Sequence, residues 1–474
     1  MRENTGAGHA DRALSRRWLL KAGGLAVAGA ATGAGTAAAQ PSSKPAQYDA
    51  VVVGAGFAGA IAARQLRAAG LSTLVLEARN RIGGRTWSDT FAGQRIELGG
   101  QYVSPQQQLV MAELQRYNIA TSTGMAATQA IMPAAGGFST FTIEEMATRQ
   151  GALLERFFAG TRDYFPAPHD PMLRRSMVEQ IDGFTLKDRL DQLGFTPEER
   201  SWLSGTTAGQ SGGSSSYGAM TSLMQWWALA GYNASSWYEA QSQQVSTGMS
   251  SLVRAILTEA GADVRLGTPV TAISEGSGQV TVTTRSGTRV IAKTVVVAVP
   301  VNLWSTISFS PGLPAVQATA AAQGVGVRNC RKLWLHVRGL SQPVIANGAE
   351  GDTFMAVVSN SQTADGGQLM FAINNLPALD VTSYSAVNAA VQQVLPGTTL
   401  VGYRAQDWGA DAYSRGGWAL RRPGQLTAQL YSVQQPHGRL AFATSDIASG
   451  WAGFVEGALE SGFRAATQAI AIAH

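Results

Sequence analysis

The stretch VVVGAGFAG, Val51 to Gly59, decides the fold: a run of apolar residues stops at three glycines spaced G-x-G-x-x-G. Tyr48 to Val53 reads as a buried strand and Phe57 to Ala69 as an alanine-rich helix. Leu71 to Glu77, LSTLVLE, reads as a second buried strand, with Gly70 as the helix stop. This is a βαβ unit. Its glycines allow a tight turn and let the backbone approach a pyrophosphate lying against the helix N-terminus. Glu77, at the end of the second strand, stands where a dinucleotide's ribose hydroxyls are accepted, roughly twenty residues past the first glycine.

Outward from this unit the alternation stops. An NAD-type domain continues with strand and helix up to about six parallel strands, whereas this chain runs into ARNRIGGRTWSD and then FAGQRIELGGQYVSPQQ. The break favours FAD as the tightly held dinucleotide. The pattern resumes much later. Met249 to Ala260 is an amphipathic helix, ADVRLGTPVTAI and QVTVTTRSGTRVIA read as strands with a turn at Ser286 and Gly287, and KTVVVAVP is another buried strand. GRLAFATSD then leads into a long helix from Gly453 to Ala473. The cofactor domain is therefore expected from separated pieces, residues 47–122, 245–310 and 411–474, with 123–244 and 311–410 forming a substrate-binding domain. The fold class is α/β with two domains.

Composition narrows the partners. With 474 residues, 45% of them hydrophobic and 14% charged, the chain buries a large core. The net charge of +5 invites a nucleic-acid reading, but Arg2, Arg12, Arg16, Arg17 and Lys21 against Glu3 and Asp11 place +3 of it in the first forty residues. No basic stripe with interleaved aromatics follows, so no nucleic-acid partner is expected. A single cysteine, Cys330, and five histidines give no disulfide framework and no expected metal centre. The first 39 residues carry LSRRWLLK, a weakly apolar Ala/Gly segment and a small-residue end at Ala37 to Ala39. They read as a twin-arginine signal peptide for periplasmic or secreted localisation, too poor in Leu and Ile for a stable membrane anchor. That route suits a protein folded around its cofactor before export.

Lys332 is unusual in its own right. Lysine occurs only at positions 21, 44, 187, 293 and 332, yet Lys332 opens the apolar strand KLWLHV. At period two, Lys332, Trp334 and His336 share one face, and Leu333, Leu335 and Val337 the other. An ammonium in such a strand is costly without a partner; a strand-end lysine reaching solvent is the plain alternative. His336 reads as a packed or rim histidine. Trp226, Trp227, Tyr232, Trp237 and Tyr238 form an aromatic patch that fits a cavity entrance and a core equally.

The segments EARNRIGGRTW, ELGGQYV, DWGADAYSRGGW and FATSDIASGWAGFVEGALESGFRAA together resemble the flavin-containing amine oxidase (monoamine oxidase) family from about Tyr48 to the C-terminus. The exported bacterial oxidoreductases of nicotine and pseudooxynicotine are nearest in appearance, through the leader, GFAGA, FPAPHDPM, KLWLHV and GQL after GGW. The resemblance implies a p-hydroxybenzoate-hydroxylase-like FAD-binding Rossmann domain beside a substrate domain of mixed sheet and helices. It implies that Gly54, Gly56 and Gly59 hold the pyrophosphate, Glu77 the adenosine ribose, and Val270 the adenine through its backbone, with Arg79, Gly84 and Arg85 flanking the phosphates. Ser445 and Asp446 are placed by the ribityl chain and isoalloxazine. Trp418 and Phe454 match the two aromatic walls across the flavin, Tyr102 the pocket lining, and Lys332 the lysine that holds a water at flavin N5. Where several mammalian members attach flavin through a cysteine, this chain has Gly417, and Cys330 lies elsewhere in the sequence, so non-covalent FAD is expected.

The expected activity is oxidation of the CH–NH bond of a small aromatic or heteroaromatic amine, with nicotine-related amines among the candidates, to an imine that water hydrolyses. Flavin reoxidation is expected by O2 or a periplasmic electron acceptor, and a homodimer is the assembly considered. An L-amino-acid oxidase is the alternative enzyme; it wants a pocket arginine for the carboxylate, which no motif assigns. A non-catalytic flavin-binding protein is the alternative from another class.

Overall fold

A computed structural model describes residues 45–474; the signal-peptide reading falls on residues outside that range. Two sheets organise the chain. The first runs in the order Asp263–Arg265, Thr73–Leu76, Ala46–Val53, Arg289–Val297, Gln279–Thr284, Val270–Gly276, Ser308–Ser310, and Leu440–Phe442 also pairs with Arg289–Val297. Ala46–Val53 lies parallel to both of its neighbours. Its last four residues are buried, as a strand covered on both faces requires. On one face pack the helices Phe57–Ala68, Met249–Ala260 and Val455–Ala473.

RVIA and KTVVV, expected as separate strands, form one strand, Arg289–Val297. Its first half pairs antiparallel with Gln279–Thr284 and alternates in burial; from Val295 that neighbour is replaced by the parallel Leu440–Phe442, and burial becomes continuous. The change of neighbour, which sequence periodicity does not report, explains why one strand reads as two. ADVRLGTPVTAI is interrupted at Gly267, with φ +62°, and Pro269, giving two strands on opposite sides of the sheet.

The second sheet runs Thr399–Asp407, Arg331–Arg338, Gln368–Asn374, Ala356–Gln362, Val344–Asn347, Gln129–Ala134, Gly137–Thr142. Leu333, Leu335 and Val337 pack on Val387, Val391 and Val394 of the helix Tyr384–Val394. The period-two reading of KLWLHV therefore holds, and Lys332 is left on the other face. Helices between residues 143 and 239 build a third layer, its core rich in Trp202, Trp226, Trp227 and Trp237. No helix among the described residues is long and apolar enough to cross a membrane.

Candidate active site

A cavity of about 1050 Å³ opens between the glycine turn, the second sheet and the helical layer. One end is polar and built from the first sheet's loops. Gly54 sits at φ +111°, and a Cβ there would fall 2.6 Å from the carbonyl oxygen of Ala298, so only glycine fits the turn. Gly56, Phe57 and Ala58 line the cavity at the start of the helix Phe57–Ala68. This helix has no side-chain cap and no acidic residue in its first turn, so its amide end is available to an anion. Gly59 does not line the cavity. A Cβ on it would lie 2.0 Å from the oxygen of Gly54, so this glycine lets helix and turn pack closely rather than touching phosphate.

Glu77 is buried, accepting Ala55 N–H at 2.8 Å on one oxygen and Arg79 N–H at 2.8 Å on the other. Its position on the lining suits ribose hydroxyls. Val270 and Thr271 line the wall where the strand register slips between Val270 and Ala272, which frees backbone groups for a planar base. Arg79 and Arg85 both line the cavity, each fixed from behind. Arg79 pairs with Asp411 and donates to Ser414 Oγ at 2.7 Å. Arg85 donates to Gly417 O and Ser445 Oγ, each at 2.8 Å, and to Asp446 at 2.5 Å. Gly84, at φ +60°, lies between these arginines on the lining. Ser445 reaches the cavity, whereas Asp446 does not: its carboxylate is fully buried between Arg85 and the Val301 amide, 2.9 Å away. Asp446 thus positions Arg85 instead of contacting the cofactor. These features fit a dinucleotide: a Cβ-free turn, an uncapped helix start, a buried acid on the lining and two braced arginines.

The other end is apolar. Gly453, at φ +88°, approaches so closely that a Cβ would lie 2.6 Å from Ala419 O, which brings Phe454 beside Trp418. The Trp418 indole donates to Gln210 O at 2.8 Å. Phe454 is held edge-on by Trp226 and Trp451, with ring centroids 5.0 and 4.9 Å away. Trp451 stays off the lining, as a supporting residue. Tyr102 lines the cavity and meets Phe371 edge-on at 6.0 Å; burial raises its hydroxyl well above the ordinary range. Of the aromatic patch, Trp226, Trp237 and Tyr238 face the cavity, while Trp227 stacks on Phe158 in the core. His336 is packed against Asp365, its Nε2 3.1 Å from Oδ1.

Lys332 is on the lining and only 6% exposed. Its Nζ donates to Gly99 O at 3.1 Å and to Gln101 Oε1 at 2.5 Å, and it lies 5.0 Å from the Phe371 ring centroid. It makes no ion pair among the described residues. Burial drives its pKa down to about 7, against the opposing pull of the Glu97 charge. Glu97 is itself pushed upward by burial, partly offset by hydrogen bonds from Ser88 and the Met249 amide. Gln101 received no role from the sequence; its only signal was a polar residue following the two glycines of ELGGQYV. Cys330, distant from Gly417 in sequence, is its neighbour in space, with Sγ 2.5 Å from where a Gly417 Cβ would lie. It lines the cavity, and burial raises its thiol to about 12, so it stays protonated near neutrality.

An extended dinucleotide groove ending in an aromatic-walled chamber defines an FAD-dependent oxidoreductase. Residues 57–470 match the model of the flavin containing amine oxidoreductases, and the chain belongs to that family. It is 32% identical to the pseudooxynicotine dehydrogenase of a Pseudomonas species, over 92% of this chain and 89% of that protein. It is also 32% identical to the nicotine dehydrogenase of Pseudomonas putida, over 88% and 87% of the two chains. Among solved structures, putrescine oxidase bound to putrescine superposes with a TM-score of 0.78 at 26% identity, covering 90% of this chain and all of that one.

Proposed function

We propose that this amine oxidoreductase acts on an uncharged amine bearing an aromatic or heteroaromatic ring, of the kind for which the nicotine-related relatives are named. The observation that carries this reading is the chamber's charge. The lining residues drawn from positions 127–150, 205–242 and 345–373 include no Asp, Glu, Arg or Lys. A carboxylated substrate finds no arginine there to clamp it, which disfavours an L-amino-acid oxidase. A diamine finds no carboxylate for its second ammonium.

When bound, FAD accepts a hydride equivalent from the carbon next to the amine nitrogen. The protein's part is positioning. Trp418 and Phe454 wall the chamber and keep the amine's approach narrow, while the apolar lining excludes stray water and favours the neutral amine. Lys332, braced by Gly99 and Gln101 and titrating near neutrality, holds or releases a proton at Nζ beside the chamber. Water hydrolyses the released imine outside it. The leader's twin arginines support export, and Cys330, protonated and set on the wall, supports non-covalent FAD. The electron acceptor after reduction is O2 or a periplasmic carrier; relatives named as dehydrogenases and as an oxidase occur side by side.

The test is a panel of amines, each with its α-carboxylated partner, mixed anaerobically with the FAD-loaded protein, followed by admission of oxygen. Bleaching by the amines alone supports the reading. Bleaching only by carboxylated members favours the amino-acid oxidase, and no bleaching at all favours a non-catalytic flavoprotein.

A further inference from the structure

The chamber's floor is one face of the second sheet, and its register places polar groups at both ends. Lys332 is paired with Ile373, Ile373 with Ala356, and Ala356 with Asn347, across four neighbouring strands. All four line the cavity. Directly opposed residues project from the same face, and neighbouring strands lie about 4.8 Å apart, so Asn347 stands three spacings, roughly 14 Å, from Lys332. The next row on that face, Phe371, Val358 and Ile345, also lines the cavity and is hydrocarbon. Between the lysine and the asparagine the floor thus carries no hydrogen-bonding side chain.

The Asn347 amide is poorly used. Among the described residues its one side-chain hydrogen bond runs from Nδ2 to the thioether of Met132 at 3.8 Å, a weak acceptor. Gly205 faces it: a Cβ on that residue would lie 3.5 Å from Asn347 Cγ and Oδ1. Gly205 is not among the left-handed glycines, so its backbone does not demand glycine, and the missing side chain leaves room over the amide. Gln150 on the lining is spent, donating to Trp202 O at 2.8 Å and accepting Tyr238 O–H at 2.9 Å, while Gln210 and Gln241 line the cavity from outside the sheet that forms the floor. An amide set in hydrocarbon discriminates strongly between ligands that satisfy it and ligands that do not.

We infer that Asn347 is a specificity-determining residue that hydrogen-bonds a ring nitrogen or carbonyl oxygen at the far end of the substrate, with Gly205 providing the space. This rests on the proposed reaction at the Lys332 end. The chamber then measures its substrate: a reacting amine at one end, an apolar span, and a heteroatom at the other.

The probes are the pyridin-3-yl and phenyl forms of one N-methyl butylamine, compared by KM and limiting rate of anaerobic flavin reduction. The wild-type protein should saturate with the pyridyl form at a concentration at least tenfold lower. Asn347→Leu should abolish that advantage, with the loss read in the KM of the pyridyl form relative to the phenyl form in the same protein. Gly205→Ala, which covers the amide without removing it, should reduce the advantage too, and decides the matter alone if Asn347→Leu does not fold. A pyridyl-to-phenyl ratio unmoved in the folded variants, while both amines still reduce the flavin, overturns this inference alone. Reduction by neither amine overturns the proposed reaction and this inference with it.

Discussion

Replacing Lys332 with methionine tests the most exposed consequence of the site's electrostatics. The ordinary lysine value is 10.5, and burial lowers it to about 7 in the folded protein. In the unfolded chain the lysine is protonated up to its ordinary value. Between these limits the unfolded state binds more protons than the folded one, so wild-type stability rises with pH across that window. Below pH 7 the folded state carries the full penalty of a desolvated ammonium. At about 1.4 kcal/mol per unit, that penalty is of order 5 kcal/mol, falling toward zero as pH approaches the ordinary lysine value. Methionine has similar reach and no charge, but it leaves Gly99 O and Gln101 Oε1 without their donor, a loss of about 1–3 kcal/mol. Lys332→Met should therefore be the more stable protein at pH 6 and the less stable one near pH 10. Unfolding of both proteins is followed by urea at pH 6, 8 and 10 with the same excess of FAD. The same variant should retain FAD but turn over more slowly, in the reductive or the reoxidative half-reaction. A stability difference that stays constant across the pH series would refute the buried, titrating amine; unchanged rates of both half-reactions would refute its role.

Trp418→Ala removes a chamber wall held by a single indole hydrogen bond; kcat/KM should fall by about tenfold or more while soluble, FAD-loaded protein persists, a loss of roughly 1.4 kcal/mol in transition-state binding. Loss of soluble protein instead would make Trp418 a core residue. Gly56→Ala and Gly59→Ala should separate two glycine roles. The Gly56 Cβ would meet nothing closer than Gly84 Cα at 3.8 Å, so that variant should fold and bind FAD more weakly, whereas the Gly59 Cβ would lie 2.0 Å from Gly54 O and should destabilise the fold. Equal thermal stability of the two variants would count against this division. Acid precipitation should release all flavin into the supernatant; colour held in the pellet would mean covalent attachment, with Cys330 the thiol on the wall.

Much of the cofactor end was legible in the sequence because its signals are local. The strand, glycine turn, helix and Glu77 lie within one short stretch, and each restricts the backbone or supplies a charge in a way that spacing reveals. Lys332 was legible because a rare residue type broke an apolar strand. The divisions of labour were not. Gly59 and Asp446 fall inside cofactor motifs yet act behind the lining, one by permitting close packing and the other by holding Arg85, and only three-dimensional contact distinguishes touching from supporting. The meeting of Cys330 with Gly417 depends on two loops distant in the chain. Asn347 was invisible for a similar reason: its place opposite Lys332 comes from the register of four strands that no local pattern encodes. The fusion of RVIA with KTVVV followed from a change of neighbouring strand midway along.

The central claim is that separated segments close over one FAD whose reactive edge faces an aromatic-walled chamber that offers the substrate no arginine and no carboxylate. Anaerobic titration of the FAD-loaded protein with a neutral ring-bearing amine, watched through the oxidised flavin's visible absorbance, tests this most directly. Full bleaching at one equivalent of amine per flavin, with none from the α-carboxylated partner, is the predicted result. A colourless protein that refuses added FAD, or a flavin reduced only by the carboxylated compound, would contradict it.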